Sequence, residues 1–294
     1  MQIESEGHDR IYCYERSNVL INKPGIRDSQ RLADYERKKS SMRLLELAGS
    51  PARGNLDYKH LKKIHKAIFQ DIYEWAGKER TVDIAKSNLF CRAMFLNDMA
   101  SDIFRKYAEE NYLLGCTKKE ICERLAFYLG EINALHPFRE GNGRSQREFI
   151  RCAAAAAGYE LNWSCVEPEA MMEASIESFS CRYSGMIQLL QQSTRQMSYR
   201  EQLQAVEQIA DKKGPLGRAC REYFKKIQRI SSELKKEGYP VDDKIIRGIE
   251  RLEKLSGREI KGREFHHFRP ESDEAGKIWG QLKKFMVKVE VLER

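Results

Sequence analysis

Apolar residues recur at steps of three and four through most of the chain, so helix is the expected state. Leu61, Ile64, Ile68, Ile72 and Trp75 make one such stripe, and Phe95, Met99, Ile103 and Tyr107 make a second. A third, Ile121, Leu125, Tyr128, Ile132 and Leu135, runs directly into His136-Pro137-Phe138. The helix expected from about Arg144 contains the run Ala153-Ala154-Ala155-Ala156-Ala157 and stops at Gly158, where a left-handed C-terminal cap is natural. Alanines there let a neighbouring helix approach closely. One further helix is expected across about 168–191, with Ile176, Phe179, Tyr183, Ile187 and Leu190 inward. Gly77 to about Phe90 breaks the pattern. Arg80-Thr81-Val82-Asp83-Ile84-Ala85 is β-prone between two helical stripes, which predicts a short hairpin.

The text turns polar around residues 192–213 and reaches Lys212-Lys213-Gly214-Pro215. The expected organisation is therefore a domain over 1–195, a linker over 196–213 and a mostly helical region over 214–294. In that last region Cys220, Tyr223, Ile227, Ile230 and Leu234 predict one helix, and Ile245, Ile249 and Leu252 another. The fold class that follows is mainly α: a helical core with a short β-hairpin flap and a C-terminal helical appendage.

Charge and cysteines change this picture only slightly. The net charge is +8, yet residues 200–294 carry 23 Lys/Arg against 17 Asp/Glu, while residues 1–199 carry 29 against 27. Nucleic-acid binding is thus not expected of residues 1–195 and stays open for 214–294. No apolar run approaches the roughly 20 residues that span a bilayer, and no secretory signal is visible, so no membrane association and a cytoplasmic location are expected. Eight cysteines without a CxxC pair fit reduced, packed thiols better than a zinc site.

The chemistry is concentrated in residues 136–147, His-Pro-Phe-Arg-Glu-Gly-Asn-Gly-Arg-Ser-Gln-Arg. Gly141, Asn142 and Gly143 lie between one helix and the start of the next. Glycines there permit positive φ and leave backbone N–H groups uncovered. Such groups at a helix N-terminus form an anion site. Arg144 and Arg147, three apart, share a face of the first turn and can reach one phosphate chain. Glu140 supplies a hard oxygen ligand suited to Mg²⁺ shared with phosphate oxygens. His136, just before the loop, can serve as a general base near neutral pH. Each part alone has an ordinary structural explanation. Together and in order, they specify phosphoryl or nucleotidyl transfer.

This segment resembles, at every defining position, the Fic signature His-x-Phe-x-Asp/Glu-Gly-Asn-Gly-Arg-x-x-Arg. The stretch Leu61 to Cys91 is similar to the family's helix and flap, and Tyr12 through Ile26 to its opening; the resemblance covers about residues 10–195. It implies a protein adenylyltransferase that moves AMP from ATP to a hydroxyl of a target protein and releases pyrophosphate. His136 would deprotonate the hydroxyl, and Glu140 would hold Mg²⁺ against the α- and β-phosphates. Asn142 would orient the α-phosphate, Gly141 and Gly143 would cradle the leaving phosphates, and Arg144 and Arg147 would balance their charge. Phe138 is expected to anchor the loop in the core, and His65 to be structural. The flap, with Val82, Asp83, Ile84, Ala85, Lys86 and Ser87, would pair with an extended segment of the target. Ser87 stands where many members carry glycine.

Many members of the family are restrained by a helix of the form Ser/Thr-x-x-x-Glu-Gly/Asn. Glu6-Gly7, Glu110-Asn111, Glu140-Gly141 and Glu237-Gly238 are preceded at the required spacing by Gln2, Lys106, His136 and Glu233, so none fits. A separate small antitoxin is therefore the expected partner, and a toxin-like or effector role the expected setting. The competing readings are transfer of another group such as UMP, or a catalytically silent binding module. The intact His136, Glu140 and Arg147 speak against the silent module.

Overall fold

The computed structural model describes residues 11–84, 90–265 and 267–286. Eleven α-helices are present among the described residues. In the first core, α1 (Ser29–Gly49) starts on Asp28, whose carboxylate accepts from the Arg31 amide. It packs on α2 (Tyr58–Phe69). α3 (Leu96–Glu109) packs on α4 (Lys118–Leu135), which opens with a Thr117/Glu120 capping box. α4 buries all five of its predicted stripe residues. On α3 the buried face is instead Leu96, Ala100, Ile103, Phe104 and Tyr107, while Phe95 is exposed. Of the predicted stripe, Ile103 and Tyr107 are buried and Phe95 and Met99 are not, because Leu96 and Ala100 take the inward places of the first turns.

α5 (Asn142–Ala156) is enclosed by α2, α4, a strand and a later helix. Its alanines 153, 154 and 156 are fully buried, which is why so many elements can crowd it. Gly158, at φ +92°, ends the segment as expected. The chain then forms β1 (Tyr159–Leu161), antiparallel to β2 (Thr194–Gln196), with Glu160 opposite Arg195. Three-residue strands carry too little alternation to be legible in sequence.

The single helix expected over 168–191 is two: α6 (Pro168–Ser178) and α7 (Ser184–Ser193), with Cys181 at φ +54° between them. The break lets α7 fold back on α6 and pack against α4. There Gly130 leaves room for Ser178 and Tyr183, whose atoms would meet a Cβ at 3.3 and 2.7 Å. Ile176, expected inward, is exposed.

The expected linker also contains a helix. α8 (Tyr199–Ile209) lies on α5, and buried Gln202 donates from its side-chain amide to the Ala156 carbonyl at 2.9 Å. Ala210 forms a parallel bridge with Gly54. The polar run before it concealed the inward spacing Tyr199, Gln202, Val206 and Ile209.

α9 (Pro215–Lys236) joins two hydrophobic clusters: Leu216 and Cys220 lie in the first core, and Tyr223, Ile227, Ile230 and Leu234 in the second. The second is completed by α10 (Asp243–Ser256) and α11 (Asp273–Phe285), with Ile249, Phe265 and Trp279 inside. At the seam the buried carboxylate of Glu250 accepts from the hydroxyls of Tyr199 and Tyr223, and burial pushes its pKa up. No disulfide joins the eight cysteines among the described residues. No helix of the described residues is long and apolar enough to cross a membrane.

Candidate active site

The site is the turn between α4 and α5. His136 caps α4 in the left-handed region, at φ 44° and ψ 59°. Its ring stacks on Phe90 at 3.7 Å between centroids. The carbonyl of Asn133, 3.2 Å from Nδ1, can only accept, so Nδ1 carries the proton and the neutral ring's lone pair falls on Nε2.

Phe138 is fully buried, as expected, and its ring lies on that of His65 at 3.8 Å. Asn142 closes the loop over it. The side-chain oxygen accepts from the Phe138 amide at 2.9 Å, and the side-chain nitrogen donates to the Phe138 carbonyl at 2.6 Å. Its carboxamide is thus committed to the loop's own backbone, which makes Asn142 a brace for the cradle.

Gly141 begins α5 at φ +82°, and a Cβ there would lie 2.2 Å from the Phe69 ring. Both conformation and space demand glycine. The amides of the first turn of α5 have no partner within the helix, and no side chain caps them. Gly143 sits beside the Arg147 guanidinium, 3.2 Å from where its Cβ would be.

The two arginines have different surroundings. Arg144 lies over the Phe69 ring at 4.7 Å, donates to the Ser40 hydroxyl at 3.0 Å and pairs with Glu36 of α1 at 2.6 Å. It also lies 3.4 Å from Glu140. Arg147 has no carboxylate partner among the described residues. Burial, with Arg144 nearby, pushes its pKa down, a direction that an arriving anion would relieve. Glu140 is half-exposed, and its Oε1 accepts from the Gly141 amide at 2.8 Å.

Two residues, His65 and Arg80, hold this turn from outside the motif, and Asp83 braces the segment beside it. Fully buried His65 accepts the Gly77 amide at Nδ1 (2.8 Å), so Nε2 donates to the Glu140 carbonyl at 2.9 Å. Burial drives its pKa down to about 3, so it is a neutral strut. Buried Arg80 donates to the His136 carbonyl at 2.9 Å, to the Val82 carbonyl at 2.7 Å and to the Cys91 carbonyl, while its amide binds the Pro137 carbonyl at 2.9 Å. Asp83 accepts from the Ala93 amide at 2.6 Å and pairs with Arg92 at 3.4 Å. Both sides of the flap base are thereby fastened to the catalytic turn. Val82, Asp83 and Ile84 form no strand; Ala85, Lys86 and Ser87 lie outside the described residues.

Beside His136, Gly143 and Arg147 opens a cavity of about 480 Å³ walled by Trp163, Val166, Met171 and Met172. The Trp163 indole N–H donates to the Arg147 carbonyl at 2.9 Å, which fixes this wall against α5. None of these wall residues carries a local sequence signal.

Residues 55–154 match the model of the Fic/DOC family. The chain is 38% identical over 170 residues to the probable protein adenylyltransferase y4lH of Sinorhizobium fredii, covering 57% of this chain and 87% of that one. It is 37% identical to the probable protein adenylyltransferase Fic of Escherichia coli, with 58% and 84% covered. The chain belongs to the Fic/DOC family. It is also 44% identical over 175 residues to the protein adenylyltransferase VbhT of Bartonella schoenbuchensis, covering 59% of this chain but only 37% of VbhT. Among solved structures, the Fic domain of a putative cell filamentation protein from Bartonella quintana with bound ADP has a TM-score of 0.63 at 25% identity. That match covers 66% of this chain and 98% of the other. BepC from Bartonella tribocorum, with bound AMPPNP, has a TM-score of 0.61 at 24% identity and shares the Fic fold, over 64% and 98% of the two chains.

Proposed function

We propose that the chain is a protein adenylyltransferase that transfers AMP from ATP to a hydroxyl side chain of a target protein. The observation that carries this reading is the joint placement, on one turn, of the His136 imidazole, the first-turn amides of α5 and Arg147, which has no carboxylate partner among the described residues. Relatives named adenylyltransferase at 37–44% identity support it.

The lone pair of His136 takes the proton of the incoming hydroxyl, and its ring is held for that task by Asn133, Phe90 and the Arg80 grip on its carbonyl. The α5 amides and Arg147 receive the phosphate chain and stabilise charge as pyrophosphate leaves. The nucleoside occupies the cavity walled by Trp163, Val166 and Met171, where apolar faces suit a base. ATP is the nucleotide named first because the Bartonella quintana neighbour binds ADP. The half-exposed Glu140 carboxylate fits Mg²⁺, which takes one or two protein carboxylates and draws its remaining ligands from phosphate and water. Bound there, the ion would neutralise developing phosphate charge.

Restraint in trans by a small antitoxin, in a toxin-like setting in the cytoplasm, completes the reading. A groove of about 1,230 Å³ runs from Arg144 and Arg147 past Leu44 and Leu45 of α1 to Met197 and Ala205, wide enough for a partner segment. The test is incubation of the pure protein with labelled ATP and a host-cell lysate, followed by mass spectrometry of the labelled band. Label retained from the α-phosphate but not the γ-phosphate supports AMP transfer. Retention of γ-label would replace it with phosphate transfer.

A further inference from the structure

The Glu140 carboxylate has a competitor. Arg144 stands four residues along the same turn of α5, the spacing at which carboxylate and guanidinium pair on a helix. Its Nη2 is shared between two carboxylates, with a close bond to Glu36 at 2.6 Å and a longer one to Glu140 at 3.4 Å. Glu36 is largely buried, whereas Glu140 is half-exposed. The second oxygen of Glu36 accepts the hydroxyl of buried Tyr73, whose ring stacks on Trp75 at 4.3 Å. Ser40, one turn further along α1, takes the other end of the guanidinium. Arg144 is thus held toward α1 by Glu36 and Ser40, with Tyr73 fixing Glu36 from behind, and it rests on the Phe69 face.

We infer that Glu36 is a positioning residue which, with Tyr73 and Ser40, draws Arg144 away from a closer pairing with Glu140 and leaves that carboxylate more available to a divalent metal. The inference rests on the metal role proposed for Glu140. Without the Glu36 charge, the nearest carboxylate for Arg144 is Glu140, and a metal must then displace a guanidinium. The expected signature is weaker metal affinity with little change in turnover at saturating metal. The competing possibility is that Arg144 acts on the nucleotide directly and Glu36 only orients it, in which case turnover itself falls.

The experiment titrates Mn²⁺ by electron paramagnetic resonance into protein saturated with a non-hydrolysable ATP analogue. Wild type, Glu36→Gln, Tyr73→Phe, Arg144→Gln and the Glu36→Gln/Arg144→Gln double variant are compared, each checked for folding by its melting curve. Glu36→Gln should raise the metal Kd about three-fold, the upper range for a partly exposed ion pair, and Tyr73→Phe should raise it less. Against Arg144→Gln, adding Glu36→Gln should cost almost nothing, because the competitor is already gone. An equal loss in both backgrounds would mean a through-space charge effect and overturn the inference, as would unchanged Kd in well-folded Glu36→Gln and Tyr73→Phe. Should Glu36→Gln not fold, Tyr73→Phe alone decides. Wild type that binds no Mn²⁺ would remove the metal role of Glu140 and this inference with it, while labelling by α-phosphate would still test AMP transfer separately.

Discussion

The imidazole of His65 donates from Nε2 to the carbonyl of Glu140 across 75 residues of sequence, and its other nitrogen accepts the amide of Gly77. One buried ring thereby ties α2 to the turn between α4 and α5 and to Gly77. Protonation would turn the acceptor nitrogen into a donor facing an N–H, with burial as the larger penalty.

This makes stability depend on pH in a definite direction. An unfolded-chain histidine titrates near 6.5, whereas folded His65 titrates at about 3. Above about pH 6.5 both states are neutral and the contribution is complete. As pH falls below that value, the unfolded chain gains a proton that the native chain refuses, and stability declines by up to about 1.4 kcal/mol per pH unit toward pH 3. Buried His60 acts in the same direction, its pKa lowered mainly by burial. Urea melts of His65→Gln between pH 7 and 4 should show a flatter decline than wild type. Parallel curves would leave His65 without this role.

His136→Ala should reduce AMP transfer by about 10²–10⁴-fold and leave nucleotide binding nearly intact, because the base is lost and the cradle is kept. Labelling rates together with calorimetric ATP titration check this. Undiminished labelling would take His136 out of the mechanism.

Glu140→Ala and EDTA should act alike, since both empty one metal position. Transfer that persists in EDTA with Glu140 intact would rule out the metal.

Arg80→Lys keeps the charge but loses the planar fork that reaches the carbonyls of Val82, Cys91 and His136. The expected result is a lower melting temperature and a KM for the protein target that rises more than the KM for ATP. Equal rises in both would place Arg80 in general folding, outside the flap's hold on the target.

Wild-type protein alone should label itself or its target without an activating partner, since no chain carboxylate among the described residues reaches Arg147. Glu237, which has Ser232 five residues before it where the restraining motif needs Ser or Thr at four, caps α9 and lies against Gly262. Glu237→Gly and a chain ending near Gln196 should therefore change autolabelling little. Because α8 packs on α5, the truncated chain needs its melting curve measured alongside. A large gain in both, in folded protein, would make the C-terminal region a built-in inhibitor.

What the sequence by itself determined was local. The α4 stripe, the positive-φ glycine Gly141, the Gly158 stop and the order base, carboxylate, cradle and arginines all lie on contiguous residues whose spacing is set by helix geometry. Periodicity records that a position is buried but not what covers it. For that reason the fold-back of α7 on α6, the burial of α8 against α5 and the inward places of Leu96 and Ala100 on α3 emerged only in three dimensions. The same holds at the site. Arg144 and Arg147 are alike in the motif, and only the approach of Glu36, 108 residues earlier in the chain, tethers the first and not the second. The apolar wall of Trp163 and Met171 likewise comes from segments with no motif, because a cavity wall demands shape and apolar area rather than particular residues.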